Sequence, residues 1–183
     1  MPREDRQKLV FRQLSSTILN MGFFDGLERE GLIAPTGYIR KCMNDRIGGV
    51  EIDNLLLDMF LNESSEHAAT FTNAQKGEFI FHIFRLLCVG GAMHQRDELV
   101  NDYLETTKAL YKELLTVHKK ATGSDGNTKI EVTSKVYEVA LAPTGESAVL
   151  FSGSVAEHSR CYVVIDVKKR YATVVFSPFK PFW

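Results

Sequence analysis

The segment TNAQKGEFIFHIFRLLCVGG, Thr72 to Gly91, decides the fold class of this chain. Thr72 and Gln75 have the spacing of a capping box, in which two side chains satisfy each other's free backbone amides at the start of a helix. The run from Phe79 to Leu87 is apolar almost all round, and a helix with so little polar face is covered on most of its sides. The segment therefore predicts a central buried helix that ends at Gly90-Gly91.

Apolar periodicity on both sides of this segment predicts further helices. Over Leu9–Met21 the apolar residues recur at steps of three to five, and Asp53 is placed to cap a helix through Phe60. The longest apolar stripe covers Leu99–Val117, beside a charged face. We therefore expect a helical part over residues 5–121, approximately.

After Lys120 the apolar period changes from helical to two, which is typical of half-buried strands. Alternation predicts strands over 130–136, around 148–151, over 161–166 and over 171–176, the last two joined as a hairpin. Helices followed by strands are the order of an α+β fold. The sequence thus predicts one α+β domain over 1–183, in which the helical part packs with a C-terminal antiparallel sheet. That sheet has three to four strands within about 128–177, and an aromatic tail follows at 178–183.

The charge balance argues against polyanionic partners. The 183 residues include 22 lysines and arginines and 23 aspartates and glutamates, so no long-range field attracts nucleic acid or anionic membranes. The three cysteines are far apart and odd in number, which favours reduced thiols. The first residues lack the continuous apolar run of a signal peptide or a membrane span. We expect a cytosolic protein without nucleic-acid or membrane partners.

The stretch around Gly90-Gly91 also contains residue types that carry chemistry, namely Cys88, His94 and Glu98. A cysteine nucleophile needs a base within hydrogen-bond reach. Zinc needs three or four ligands, whereas His94 and Glu98 offer two on one helix face. Motifs for phosphate, dinucleotide, protease and hydrolase sites are absent from the sequence. We therefore predict no enzyme, no cofactor and no metal, and keep as the alternative a small metal- or cysteine-dependent enzyme that uses these three residues.

Two segments are candidates for binding partner proteins. The charged tip of the hairpin, 167–170, is suited to an acidic partner, although such tips are most often only solvated. The ending SPFKPFW, Ser177–Trp183, combines three aromatic residues with two prolines. It either folds back on the sheet or docks on a partner through its aromatic rings. The candidate partner-binding residues are Lys168, Lys169, Arg170, Phe179, Phe182 and Trp183.

A longer pattern is more specific than any of these short motifs. The run GEFIFHIFRLLCVGGAMHQRDELVNDYLETTKALYKELLTV, Gly77 to Val117, is followed by TKIEVTSKVYEVA, Thr128 to Ala140. Its signature residues are Gly90, Gly91, Gln95, Tyr103, Leu104, Glu105, Thr106, Thr107 and Lys108. This pattern resembles the cilia- and flagella-associated protein 300 family, and weaker similarity covers most of the chain. Relative to the family, we expect a shorter N-terminus and a different C-terminal ending.

The resemblance implies a non-enzymatic factor of motile cilia and flagella. Such a factor takes part when outer and inner dynein arms are assembled in the cytoplasm and delivered to the axoneme with intraflagellar transport. The partners that this implies are axonemal dynein subunits, dynein assembly chaperones and intraflagellar transport proteins. The implied location is the cytoplasm and the cilium or flagellum.

Overall fold

The structure is a computed structural model and describes residues 8–90, 96–122, 127–142 and 158–179. It confirms the predicted α+β class. The elements in chain order are β1 (Leu9–Leu14), a 3₁₀ helix (Met21–Phe24), α1 (Gly26–Arg29), β2 (Lys41–Ile47), β3 (Val50–Asn54), α2 (Leu55–Leu61), α3 (Asn73–Lys76), α4 (Phe79–Val89), α5 (Val100–Leu114), β4 (Val117–Thr122), β5 (Asn127–Val132), β6 (Lys135–Leu141), β7 (Arg160–Asp166) and β8 (Tyr171–Ser177). The strand predicted around 148–151 lies outside the described residues.

The main sheet has four antiparallel strands in the order β1-β6-β7-β8. The predicted hairpin is confirmed as β7 and β8, with its tip at 167–170. The helix predicted over Leu9–Met21 is wrong, because Leu9–Leu14 is a strand whose residues pair in register with Leu141–Val136. Ladder hydrogen bonds to a strand far along the chain override a weak helical period, as tertiary context does with local propensity.

Helix α4 lies at the centre of the largest core, as its sequence predicts. Eight of its eleven residues are buried. Phe79 is fully buried and its ring centroid is 5.5 Å from that of Tyr162 on β7, so α4 packs on one face of the sheet. The amphipathic helix α5 covers α4 from another side with Val100, Tyr103 and Tyr111. No helix of the described residues is long and apolar enough to span a membrane.

The start of α4 departs from the prediction in one respect. The capping box of Thr72 and Gln75 is present, but it caps the single turn α3, and α4 begins separately after Glu78. Glu78 is buried, and its carboxylate accepts hydrogen bonds from the backbone N–H and the hydroxyl of Thr17 at 2.9 and 2.6 Å. The buried carboxylate thus ties the segment after β1 to the entrance of the central helix.

A second, smaller core lies under the hairpin of β2 and β3. The hairpin turns at Gly48 and Gly49, whose φ angles of 56° and 82° are in the left-handed region that glycine adopts without strain. Helix α2 follows β3 directly, and its cap is Asn54 rather than the predicted Asp53, since the Asn54 amide oxygen accepts from the Leu57 N–H at 3.1 Å. The buried members of this core are Val50, Ile52, Leu57, Val89 and Phe179.

A third pair of strands, β4 and β5, forms a separate antiparallel hairpin. The helical part was predicted to extend to about residue 121, but the last helix ends at Leu114 and 117–122 is strand β4. The strand predicted over 130–136 is divided between β5 and β6 at Thr133-Ser134. There, the N–H of Thr116 donates to the hydroxyl of Ser134 at 2.9 Å and the carbonyl of Thr116 accepts from the Thr133 N–H at 2.9 Å. These bonds anchor the base of the hairpin next to the main sheet.

Candidate interaction surface

Cys88 lies in the last turn of α4 and is buried, with 3% of its surface exposed. Burial raises the pKa of its thiol well above the usual value. The thiolate is the nucleophilic form of cysteine, and burial disfavours that form at Cys88. The geometry therefore argues against the cysteine-dependent alternative.

The structure describes only one member of the pair His94 and Glu98, which the sequence analysis considered as metal ligands for the alternative. His94 lies outside the described residues, and the Glu98 side chain is exposed while its backbone carbonyl accepts from the Ile39 N–H at 2.9 Å. Within the described residues, no group of three histidine, cysteine, aspartate or glutamate side chains is placed to hold a metal ion.

His82 is a buried titratable residue that sequence reasoning did not single out. It lies on α4, 8% exposed, with its Nδ1 atom 3.3 Å from the hydroxyl of Tyr162 on β7. The pKa of the imidazole is lowered to about 4, mainly by burial; Glu138 opposes this shift, and the nearby Arg12, Arg85 and Arg160 add to it. The ring is therefore neutral at physiological pH and links the central helix to the sheet.

The cationic hairpin tip is held in a defined shape by Asp166 at the end of β7. The Asp166 carboxylate accepts the backbone N–H groups of Lys168 and Lys169 at 3.0 and 2.9 Å, and it also accepts from the Thr116 hydroxyl. The bond from the Lys169 N–H comes first among the causes that lower the pKa of this carboxyl, followed by the Thr116 bond. The tip is thus attached to the base of the β4–β5 hairpin.

The predicted cationic residues Lys168, Lys169 and Arg170 are all exposed at this tip. Lys169 is partly engaged, because its Nζ atom lies 3.7 Å from Asp166 and 3.2 Å from the Thr116 hydroxyl. In the described part of the chain, neither Lys168 nor Arg170 takes part in an ion pair. Two cations of the tip therefore point to solvent and are available to an acidic partner.

The face of the main sheet that is turned away from α4 is apolar at both of its edges. Residues paired across an antiparallel ladder share a face, and the register places Phe11 beside Val139, Cys161 beside Phe176, and Val163 beside Val174. Three of these side chains are more than half exposed: Phe11 at 59%, Val174 at 60% and Phe176 at 57%. We call this surface the outer face of the sheet. Exposed apolar surface on a folded domain is typical of protein-binding sites.

The two edge strands of the main sheet border the outer face. Among the described residues, β1 pairs only with β6 and β8 pairs only with β7. Their other edges present backbone donors and acceptors to which an extended partner segment can add as a further strand. On β8 the exposed apolar residues and the cationic tip are adjacent in sequence, which gives this edge both an apolar and a charged component.

The structure describes the aromatic tail only as far as Phe179. Phe179 is 3% exposed in the second core, and its ring lies 5.1 Å from that of His158. Its backbone N–H donates to the Ser159 hydroxyl at 3.0 Å. Phe179 is thus a packing residue and not an exposed docking anchor, because its ring already occupies an apolar site of this chain. Phe182 and Trp183 lie outside the described residues.

The signature residues are chiefly structural in the described part of the chain. Gly90 ends α4 with a φ of 58°. Tyr103 is buried and its hydroxyl accepts the Asp97 N–H at 3.0 Å, while Thr107 is fully buried on the same face of α5. Leu104 packs at the border of the main core, and Lys108 pairs with Glu105 at 3.3 Å. Thr106 is exposed and donates to the Asp102 carbonyl at 2.8 Å, and Gly91 and Gln95 lie outside the described residues.

The chain matches the model of a known protein family. That model, described as cilia- and flagella-associated protein 300, matches residues 1–177. This chain belongs to that family. Curated family members from Chlamydomonas reinhardtii and Paramecium tetraurelia are 31% and 23% identical to it, over 93% and 96% of its length. The resemblance read from the signature is thereby confirmed.

Membership of the cilia- and flagella-associated protein 300 family establishes a role associated with cilia and flagella. The chain spans 65% and 66% of the length of the two relatives, which is just under two thirds of each. No solved structure matches the chain at a significant level.

Proposed function

We propose that the chain is a non-catalytic adaptor for the assembly of outer and inner axonemal dynein arms in the cytoplasm and for their delivery by intraflagellar transport. The observation that carries this proposal is membership of a family associated with cilia and flagella. Its partners are axonemal dynein subunits, dynein assembly chaperones and intraflagellar transport proteins. A factor with this role has a cytoplasmic pool and a pool in the axoneme of motile cilia or flagella.

The structure supports a binding role for one surface in particular. The outer face of the sheet exposes apolar side chains at Phe11, Val174 and Phe176, and the β8 edge has backbone groups available for strand addition. The cations at the hairpin tip continue this surface. On β8, the exposed apolar side chains of Val174 and Phe176 follow the cationic tip along the chain, and this combination favours an extended apolar partner segment with an acidic end.

Quantitative affinity purification from the cytosol of cells that are building motile cilia tests the proposal. The bait is the tagged chain, and the test variant is Val174→Lys with Phe176→Lys, which charges the outer face at two exposed positions. The matched control is Met43→Lys, since Met43 is 92% exposed on β2, in a different sheet. A second test variant, Lys168→Glu with Arg170→Glu, reverses the charge of the tip, and deletion of Phe182 and Trp183 tests the tail.

We expect the wild-type chain and the Met43 control to enrich dynein subunits, assembly chaperones or transport proteins equally. The outer-face variant should lose most of that enrichment while keeping the wild-type unfolding midpoint, because both substituted side chains are exposed. A folded wild-type bait that enriches none of these proteins would contradict the proposed function. Equal enrichment by all variants would instead assign binding to another surface of the chain.

A further inference from the structure

A groove lies between α5 and the β4–β5 hairpin. It contains a cavity of about 380 Å³, which is within the range of pockets that hold ligands. The segment before the 3₁₀ helix forms its third wall. The apolar residues that line the cavity include Ile18, Met21, Ile80, Leu115, Ile130 and Val132.

The mouth of the groove is apolar as well. Leu19 and Val117 are each 51% exposed, and Ile130 is 46% exposed, although all three line the cavity. Leu19 precedes the 3₁₀ helix, Val117 is on β4 and Ile130 is on β5. All three line the same cavity, so their exposed surfaces form one apolar opening. Concave apolar surface of this kind is suited to side chains inserted by a partner.

Lysines lie beside this apolar opening. Lys108 and Lys112 line the cavity itself. An adjoining cavity, which shares Leu19, Ile130 and Val132 with the first, is lined by three more lysines and one acidic residue: Lys120, Lys129, Lys135 and Glu131. Within the described residues, Lys112, Lys129 and Lys135 take part in no ion pair. The whole chain has a formal net charge of −1, so this positive charge is a local property of the groove.

We infer that this groove binds an acidic amphipathic segment of a partner protein. Aliphatic or aromatic side chains of the segment fill the cavity, and its carboxylates meet the lysines beside it. The two adjoining cavities suit an elongated ligand, and the near-neutral charge of the whole chain argues against nucleic acid. This inference deepens the proposed function and rests on it for the premise that the chain acts by binding proteins.

Selection from a phage-displayed library of random twelve-residue peptides tests the inference with the full chain as bait. We expect the enriched peptides to combine two or more large apolar residues with aspartate or glutamate. The same selection on the variant Lys108→Glu with Lys112→Glu should enrich lysine and arginine in place of the acids, because both lysines line the cavity. A bait with Lys41→Glu, on β2 in a different sheet, should select the wild-type peptides.

Fluorescence polarisation with the most enriched peptide then locates the site. We expect the charge-reversed variant and Ile130→Asp to bind about tenfold or more weakly. Lys41→Glu, on β2 in a different sheet, should bind like wild type.

The outcomes separate this inference from the proposed function. Peptides without acidic residues, or peptides that bind the Ile130→Asp and charge-reversed variants as tightly as wild type, would overturn the inference. So would a dimer in sedimentation equilibrium that dissociates on charge reversal, since a second copy would then occupy the groove. The peptide selection contains no ciliary protein. If the groove variants bind peptide like wild type while the chain still captures dynein-arm proteins, only the inference is rejected. If peptides bind in the groove but the chain captures no dynein-arm protein, only the proposed function is rejected.

Discussion

At the scale of single residues, burial changes the acid–base behaviour of His82. Its pKa falls from an ordinary 6.5 to about 4 in the folded chain. Because the unfolded chain binds the proton more tightly, the stabilisation is fully present above about pH 6.5 and is lost as the pH falls through about 4. We expect the free energy of unfolding to decrease by up to about 3 kcal/mol across that window, as measured by urea denaturation.

Two substitutions test whether His82 causes this pH dependence. His82→Phe should flatten the dependence between pH 7 and roughly pH 4.5, whatever its effect on stability at neutral pH, because no titrating ring remains at that position. His82→Leu should flatten the dependence in the same way, because it also removes the titrating ring. Equal slopes for wild type and His82→Phe would assign the acid sensitivity to another group.

The thiols make a second prediction at this scale. Cys88 is buried and burial raises the pKa of its thiol, whereas Cys42 is partly exposed. We expect iodoacetamide to modify Cys42 first and to reach Cys88 only through unfolding, as measured by mass spectrometry of peptides over time. Denaturant should make all three cysteines react at similar rates. Rapid, selective modification of Cys88 in the folded chain would restore the cysteine-dependent enzyme as a hypothesis.

At the scale of elements, the start of α2 depends on one side chain. Asn54 accepts the Leu57 N–H, and loss of such a cap destabilises a protein by about 0.5–2 kcal/mol. We expect Asn54→Ala to lower the free energy of unfolding by about this amount, measured by chemical denaturation. Asn54→Ser should recover most of it, because serine also has an oxygen that accepts from the third amide of the helix. Equal losses for both variants would attribute the effect to packing of the buried amide.

The elements also differ in how far their sequences predicted them. Those whose signals are local were predicted, among them the buried helix α4, the capping box at Thr72 and the β7–β8 hairpin. Strand β1 was not, because its partner β6 lies at the other end of the chain and the pairing has no local signal. The outer face of the sheet was missed for the same reason, since Phe11 and Phe176 share a face only through that register.

At the scale of the whole molecule, the last described residue, Phe179, packs in a core formed by residues from earlier parts of the chain. Phe179 packs in the second core with residues of β3, α2 and α4. We expect Phe179→Ala to lower the free energy of unfolding by about 3–5 kcal/mol, measured by chemical denaturation. Phe176→Ala, three positions earlier on the exposed outer face, should change it by about 0.5 kcal/mol or less. Similar losses for the two variants would contradict the burial difference between them.

The sequence by itself determined the α+β class, the central buried helix, the hairpin with its cationic tip and the family signature. These features depend on neighbouring residues, whose periodicity and capping are visible without coordinates. Only the tertiary structure decided that Leu9–Leu14 is an edge strand, that Phe179 is buried and that two lysines of α5 line an apolar groove beside the β4–β5 hairpin. Each of these depends on contacts between distant segments, which strand register and core packing select collectively.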